Sequence, residues 1–183
     1  MSQVPMTRTN YTPVQMAAYL VPEVTRQMKK IPVRTLAELM LAQLCLETTS
    51  GYNLWNNNYG NVDISDASQD YWMAQGQANH IRSFRDPMSG MAEYVRQVVI
   101  RRPSMVRAGQ AGDALAFATA IRDTAYTPGI DVAKVAATLT QFVQQFRTQK
   151  LFDNLPTKVQ GWFLPVVGGL LTLLFLAVRR RWG

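Results

Sequence analysis

The chain has 183 residues, of which 48% are hydrophobic and 17% charged, which suits one folded domain with a short appendage rather than a disordered chain. One cysteine and one histidine exclude a disulfide framework and leave too few ligands for a protein-built zinc site. The net charge of +7 is uneven: Lys158 and Arg179 to Arg181 lie beyond residue 157 and all 12 acids before it, leaving +3 for residues 1–157. That is a mildly basic domain whose scattered cations form no nucleic-acid recognition motif.

Thr12-Pro13 predicts a helix start, because proline fits the first helical position, and the apolar pattern carries that helix to about Lys29. After Ile31-Pro32 a second helix is predicted from Arg34 to Thr48. Residues 50–68, rich in glycine, asparagine and serine, read as a loop. Residues 69–85 carry a weak hairpin pattern around Gly76, with His80 on its surface. Asp86-Pro87 opens a helix to about Ile100, which Arg101-Arg102-Pro103 ends. Two further helices are expected near 111–123 and 129–147, and Cys45 reads as core packing. The class is mainly α (α+β), with one less regular insertion.

From Gly161 to Val178 no residue is charged. Eighteen helical residues span roughly 27 Å, near the lower limit for a bilayer. Trp162 and Trp182 bracket the run and three arginines close it, the pattern of a single transmembrane helix with a cytoplasmic C-terminus. The segment MSQVPMTRTNYTPVQ lacks the basic and apolar regions of a signal peptide. The expected organisation is a folded domain over 1–147, a linker over 148–160, a transmembrane helix over 161–178 and a basic tail over 179–183.

On a helical wheel Glu47 falls about 20° from Leu36, inside the arc of Leu39, Met40, Gln43 and Leu44, while Glu38 falls at about 200°, on the face expected to be solvated. Burial and the negative end of the helix dipole both disfavour a carboxylate there, so the Glu47 pKa is expected to rise. A carboxylic acid protonated near neutral pH suits the donation of a proton to a glycosidic oxygen. Periodicity alone equally allows a glutamate that reaches out to the following loop or pairs with an arginine.

The stretch IPVRTLAELMLAQLCLETTSGYNLWNNNYGN (Ile31 to Asn61) resembles the glucosaminidase family of peptidoglycan hydrolases, glycoside hydrolase family 73. Ala42-Gln43, Glu47, Ser50-Gly51 and Asn57-Asn58-Tyr59-Gly60 take the places of its Ala-Gln, its Glu-Ser-Gly-Trp-Gly segment and its Asn-Asn-aromatic-Gly turn. Ser83 to Val98 is similar to its Phe-Arg segment and the helix after it, and Ala120 to Leu139 to its tyrosine segment. The sequence departs from the family where Thr48-Thr49 follows the glutamate, where the segment's tryptophan is missing unless Trp55 replaces it, and where an aspartate stands for the hairpin glutamate.

The resemblance implies a lysozyme-like helical domain with a small hairpin insertion that cleaves the β-1,4 glycan backbone of peptidoglycan without a cofactor or metal. Glu47 would be the general acid. Asp70, or else Asp63 or Asp66, would activate water or steady the oxocarbenium ion, and Tyr126 would contact the scissile sugar. Trp55, Asn57, Asn58 and Tyr59 would line the groove with the two loop aspartates. A lytic transglycosylase using Glu47 alone, and a non-catalytic wall-binding or scaffold protein, are the alternatives. The implied partners are glycan strands, a lipid bilayer and other virion proteins, with no nucleic acid. A wall hydrolase with a C-terminal span and no signal peptide fits a phage virion membrane, used for local wall opening during infection, or otherwise the bacterial envelope.

Overall fold

The computed structural model describes residues 3–29, 34–51, 54–59, 71–72, 81–123 and 129–155. The helices are α1 (Pro13–Met28), α2 (Arg34–Thr48), α3 (Pro87–Val99), α4 (Pro103–Ala111), α5 (Ala114–Asp123) and α6 (Val132–Thr148), with a two-stranded antiparallel sheet of β1 (Tyr71–Trp72) and β2 (Ile81–Arg82) before α3. Its register pairs Tyr71 with Arg82 and Trp72 with Ile81, so the weak hairpin pattern marked a real pairing.

Local chemistry sets the helix starts. Gln15 N donates to Thr12 Oγ1 at 3.3 Å while Thr12 N donates to Gln15 Oε1 at 2.9 Å, a reciprocal capping box ahead of Pro13. Asp86 and Asp131 cap α3 and α6 by accepting from Ser89 N at 2.9 Å and Lys134 N at 3.0 Å. Expected and observed bounds agree closely for α1, α2 and α3.

α2 is the axis of the molecule. Every residue from Leu36 to Cys45 is buried, because α1, α4 and α6 pack around it and Tyr94 of α3 donates to its Met40 carbonyl at 3.1 Å. A helix sheathed on all sides has no solvated face, which overturns the expectation for Glu38. That carboxylate is 1% exposed. Arg34 Nε reaches it at 3.0 Å from the preceding turn, and Arg147 of α6 reaches it with Nε at 3.0 Å and Nη2 at 2.6 Å. Arg34 also bonds Asp153 at 2.8 Å.

Two other expectations are corrected. Pro103 does not only end α3; it occupies the first position of α4, whose carbonyls Gly112 closes in a left-handed conformation. Gly109 of α4 lies so close to α2 that an added Cβ would come within 2.4 Å of Leu36 Cδ1. The stretch read as a linker from residue 148 begins inside the core: Leu151, Phe152 and Leu155 are 3%, 2% and 1% exposed, and the Phe152 ring meets Phe146 edge-on at 6.5 Å.

No described helix is long and apolar enough to cross a membrane. The run 161–178 expected to do so lies outside the described residues, as do Asp63, Asp66, Asp70, His80 and Tyr126.

Candidate active site

The axial helix surfaces at its C-terminal end. After the buried run to Cys45, Leu46 is 38% exposed, Glu47 is half-buried and Thr48 is buried again. Glu47 thus stands at the lip of the core, at the exposed end of the buried run of α2.

The chain then turns back sharply. Thr49, Ser50 and Gly51 all take left-handed backbone conformations, with φ of 50°, 57° and 92°. Two consecutive non-glycine residues in this region store backbone strain, a feature that clusters at functional sites. The turn is held by Ser50 N donating to Cys45 O at 2.7 Å and Gly51 N donating to Thr48 Oγ1 at 2.9 Å, while the Thr48 hydroxyl donates to Leu44 O at 2.6 Å. Thr48, a departure from the family pattern, is therefore the residue that ties the helix end to the turn. Only glycine fits at 51, where a Cβ would lie 1.8 Å from the Tyr11 carbonyl oxygen.

Residues 54–58 form a second turn against the N-terminal segment. Thr9 N donates to Leu54 O and Asn56 N to Thr7 O, at 2.9 and 2.8 Å. The Arg8 guanidinium lies over the half-buried Trp55 ring, 4.9 Å from its centre. Of the expected groove-lining residues, Trp55 keeps partial exposure, whereas Asn57, Asn58 and Tyr59 are 7%, 3% and 0% exposed. Their side chains are committed inward. Asn57 Nδ2 donates to Phe84 O at 3.0 Å and Asn58 Nδ2 to Arg82 O at 2.9 Å, and Asn57 Oδ1 accepts from the Tyr11 hydroxyl at 3.2 Å. Tyr59 stacks on Tyr11 at 6.0 Å, and burial raises its phenol pKa, with Tyr11 and Tyr19 adding to the shift. Asn57 and Asn58 thus brace the turn to the hairpin base, and the Tyr59 ring packs on the N-terminal segment.

Sequence reasoning missed Tyr11, which supports both turns, and gave no role to Gln43 beyond its place in the motif. Gln43 is wholly buried one turn before Glu47, with its Oε1 accepting from Tyr94 OH at 3.0 Å. Cys45 is buried beside them, and desolvation pushes its thiol up to about 12, partly offset by a hydrogen bond with Ser50. Among the described residues no group of three or more His, Cys, Asp or Glu comes together that could hold a metal ion.

No protein-family model and no curated protein matches the sequence. Among solved structures the chain is similar to the glycoside hydrolase domain from Salmonella typhimurium FlgJ, with a TM-score of 0.51 at 19% identity, covering 76% of this chain and 91% of that one. The two chains share a fold over most of their length.

Proposed function

We propose that the domain is a peptidoglycan glycosidase in which Glu47 acts as the general acid. The observation that carries this is the placement of Glu47: a half-buried carboxylate at the exposed end of an otherwise sheathed helix, followed directly by a strained turn. The fold shared with a glycoside hydrolase domain supports the same reading. The other carboxylate of α2, Glu38, is held by two guanidiniums on the buried side and is not free for proton transfer.

In the reaction Glu47 gives its proton to the glycosidic oxygen as the bond to the anomeric carbon breaks. A second carboxylate on the Asp63–Asp70 stretch, Asp70 first, activates water or steadies the oxocarbenium ion, or the substrate acetamido group does so. Tyr126 contacts the sugar, and the half-buried Trp55 on the 54–58 turn contributes to the groove. The apolar run 161–178 anchors the domain to a membrane, and local wall opening from a phage virion membrane is the setting proposed for it.

The test is digestion of purified sacculi with the full chain and mass spectrometry of the new ends. Reducing N-acetylglucosamine ends identify a glucosaminidase, reducing N-acetylmuramic acid ends a muramidase, and anhydro ends a lytic transglycosylase. Glu47→Gln is expected to lower the rate by about 10²–10⁴. Undiminished lysis by that variant overturns the assignment of the acid, and no products from the parent chain favour the scaffold reading.

A further inference from the structure

α1 and α3 carry the same five-residue pattern, Glu23-x-x-Arg26-Gln27 and Glu93-x-x-Arg96-Gln97, and the structure folds both copies identically. In each, the arginine Nε and Nη2 fork onto the two oxygens of the glutamate, with Nε distances of 2.9 and 2.8 Å, and the glutamine Nε2 donates to the same carboxylate. The side chains of the two glutamates are only 5% and 11% exposed. Each clamp fixes a guanidinium in place and leaves its Nη1 group without a partner among the described residues. An arginine immobilised in this way loses little conformational entropy when it binds an anion.

The two helices pack together, and between them opens a cleft of about 390 Å³ that Arg26 and Arg96 both line, with Arg82 from β2 and Lys29 from the end of α1. Arg82 stacks over Phe84 at 4.7 Å and approaches Glu93 at 3.8 Å, so it shares a carboxylate that Arg96 already occupies. Lys29 is exposed and has no acidic partner among the described residues. Burial pushes the Glu93 pKa up, but the hydrogen bonds from Arg96 and Gln97 outweigh it and hold Glu93 below the usual carboxylate range. Glu93 lines the cleft, Glu23 does not, and each is held by the arginine of its own helix. Counting both carboxylates against the four lining cations leaves a surplus of two positive charges in a concave surface, which concentrates its field.

We propose that this α1–α3 cleft is a phosphate-binding site for a phosphomonoester. The surplus of two charges matches one phosphomonoester dianion better than a lone carboxylate, and free guanidinium edges suit the paired oxygens of a phosphate. None of its lining residues belongs to α2 or to the turn after Glu47, so the site is independent of the glycosidase reading.

The test titrates the full chain, held in a non-ionic detergent, with inorganic phosphate at pH about 7.5 and low salt by calorimetry. Saturable one-to-one binding is expected, weakened roughly tenfold by Lys29→Gln and again by Arg82→Gln, as the loss of one charge-assisted contact implies. Glycerol 1-phosphate should compete for the same site. Lys29 is exposed, so its variant leaves the packing intact and decides the matter even if Arg82→Gln unfolds. No saturable binding, or unchanged affinity in Lys29→Gln, overturns the proposal. So does tight binding of poly(glycerol phosphate) that inorganic phosphate cannot displace.

Discussion

Arg147, in the last turn of α6, binds Glu38 in the first turns of α2 through both Nε and Nη2, at 3.0 and 2.6 Å. Its side chain is 54% exposed and that of Glu38 1%. The pair therefore joins a buried anion to a cation that water still reaches, and Arg34 completes the arrangement from the other side. Removing Arg147 alone leaves Glu38 with Arg34, so Arg147→Met should cost about 1–2 kcal/mol. The double change Arg34→Met with Arg147→Met strands the carboxylate and should cost about 3–5 kcal/mol. Urea denaturation of the parent, the two single variants and the double variant measures the losses, and additive single losses would contradict the shared role.

Gly90 of α3 sets a conflict between two effects. Alanine is the better helix former by about 1 kcal/mol, but a Cβ at this position would lie 1.8 Å from the Asn57 carbonyl oxygen. A backbone atom cannot move aside as a side-chain tip can. Gly90→Ala should therefore destabilise, by about 1–3 kcal/mol, and a rise in melting temperature would show that α3 docks more loosely on the 56–58 turn.

The Asp86 cap gives a pH signature. Hydrogen bonds from the Ser89 backbone and hydroxyl hold its pKa below the ordinary 3.8. A depressed carboxylate contributes stability above its unfolded pKa and loses it as the pH falls through the folded value. Asp86→Ala should cost about 1 kcal/mol at pH 7, and the difference from the parent should shrink below pH 3.8. Thermal melts at the two ends of that range measure it.

Cys45 should resist thiol reagents. With its pKa pushed up to about 12 by burial, almost no thiolate exists at pH 8. Alkylation is expected only after denaturation, and rapid labelling of the native chain would mean that the helix end beside Glu47 opens.

The sequence revealed the helices wherever a local signal exists. Thr12-Pro13 and Asp86-Pro87 are caps that act within four residues, and both helices begin where those caps placed them. α4 was hidden because Pro103 serves two helices at once, as terminator of one and first residue of the next. Glu38 was misplaced because a helical wheel assumes one wet side, and α2 has none. The inward commitment of Asn57 and Asn58 was not legible, because their partners Phe84 and Arg82 lie more than twenty residues away, and no periodicity reports a hydrogen bond over that distance. The position of Glu47 at the end of α2 was legible because the helical pattern runs unbroken from Arg34 to Thr48.

The turn at 56–58 has a consequence for how the chain acquires its shape. Asn56 accepts from Thr7 N and donates to Pro5 O on one side, its carbonyl accepts from Phe84 N on the other, and Asn57 also accepts from the Tyr11 hydroxyl. The segment 5–11 therefore cannot settle until residue 84 has joined the same junction. During synthesis the segment 5–11 would meet the 54–57 stretch first and gain the last partner of the junction only some seventy residues after its own release. Closing such distant junctions is slow, and a chain interrupted before Phe84 would carry its helices without the seam that fastens them.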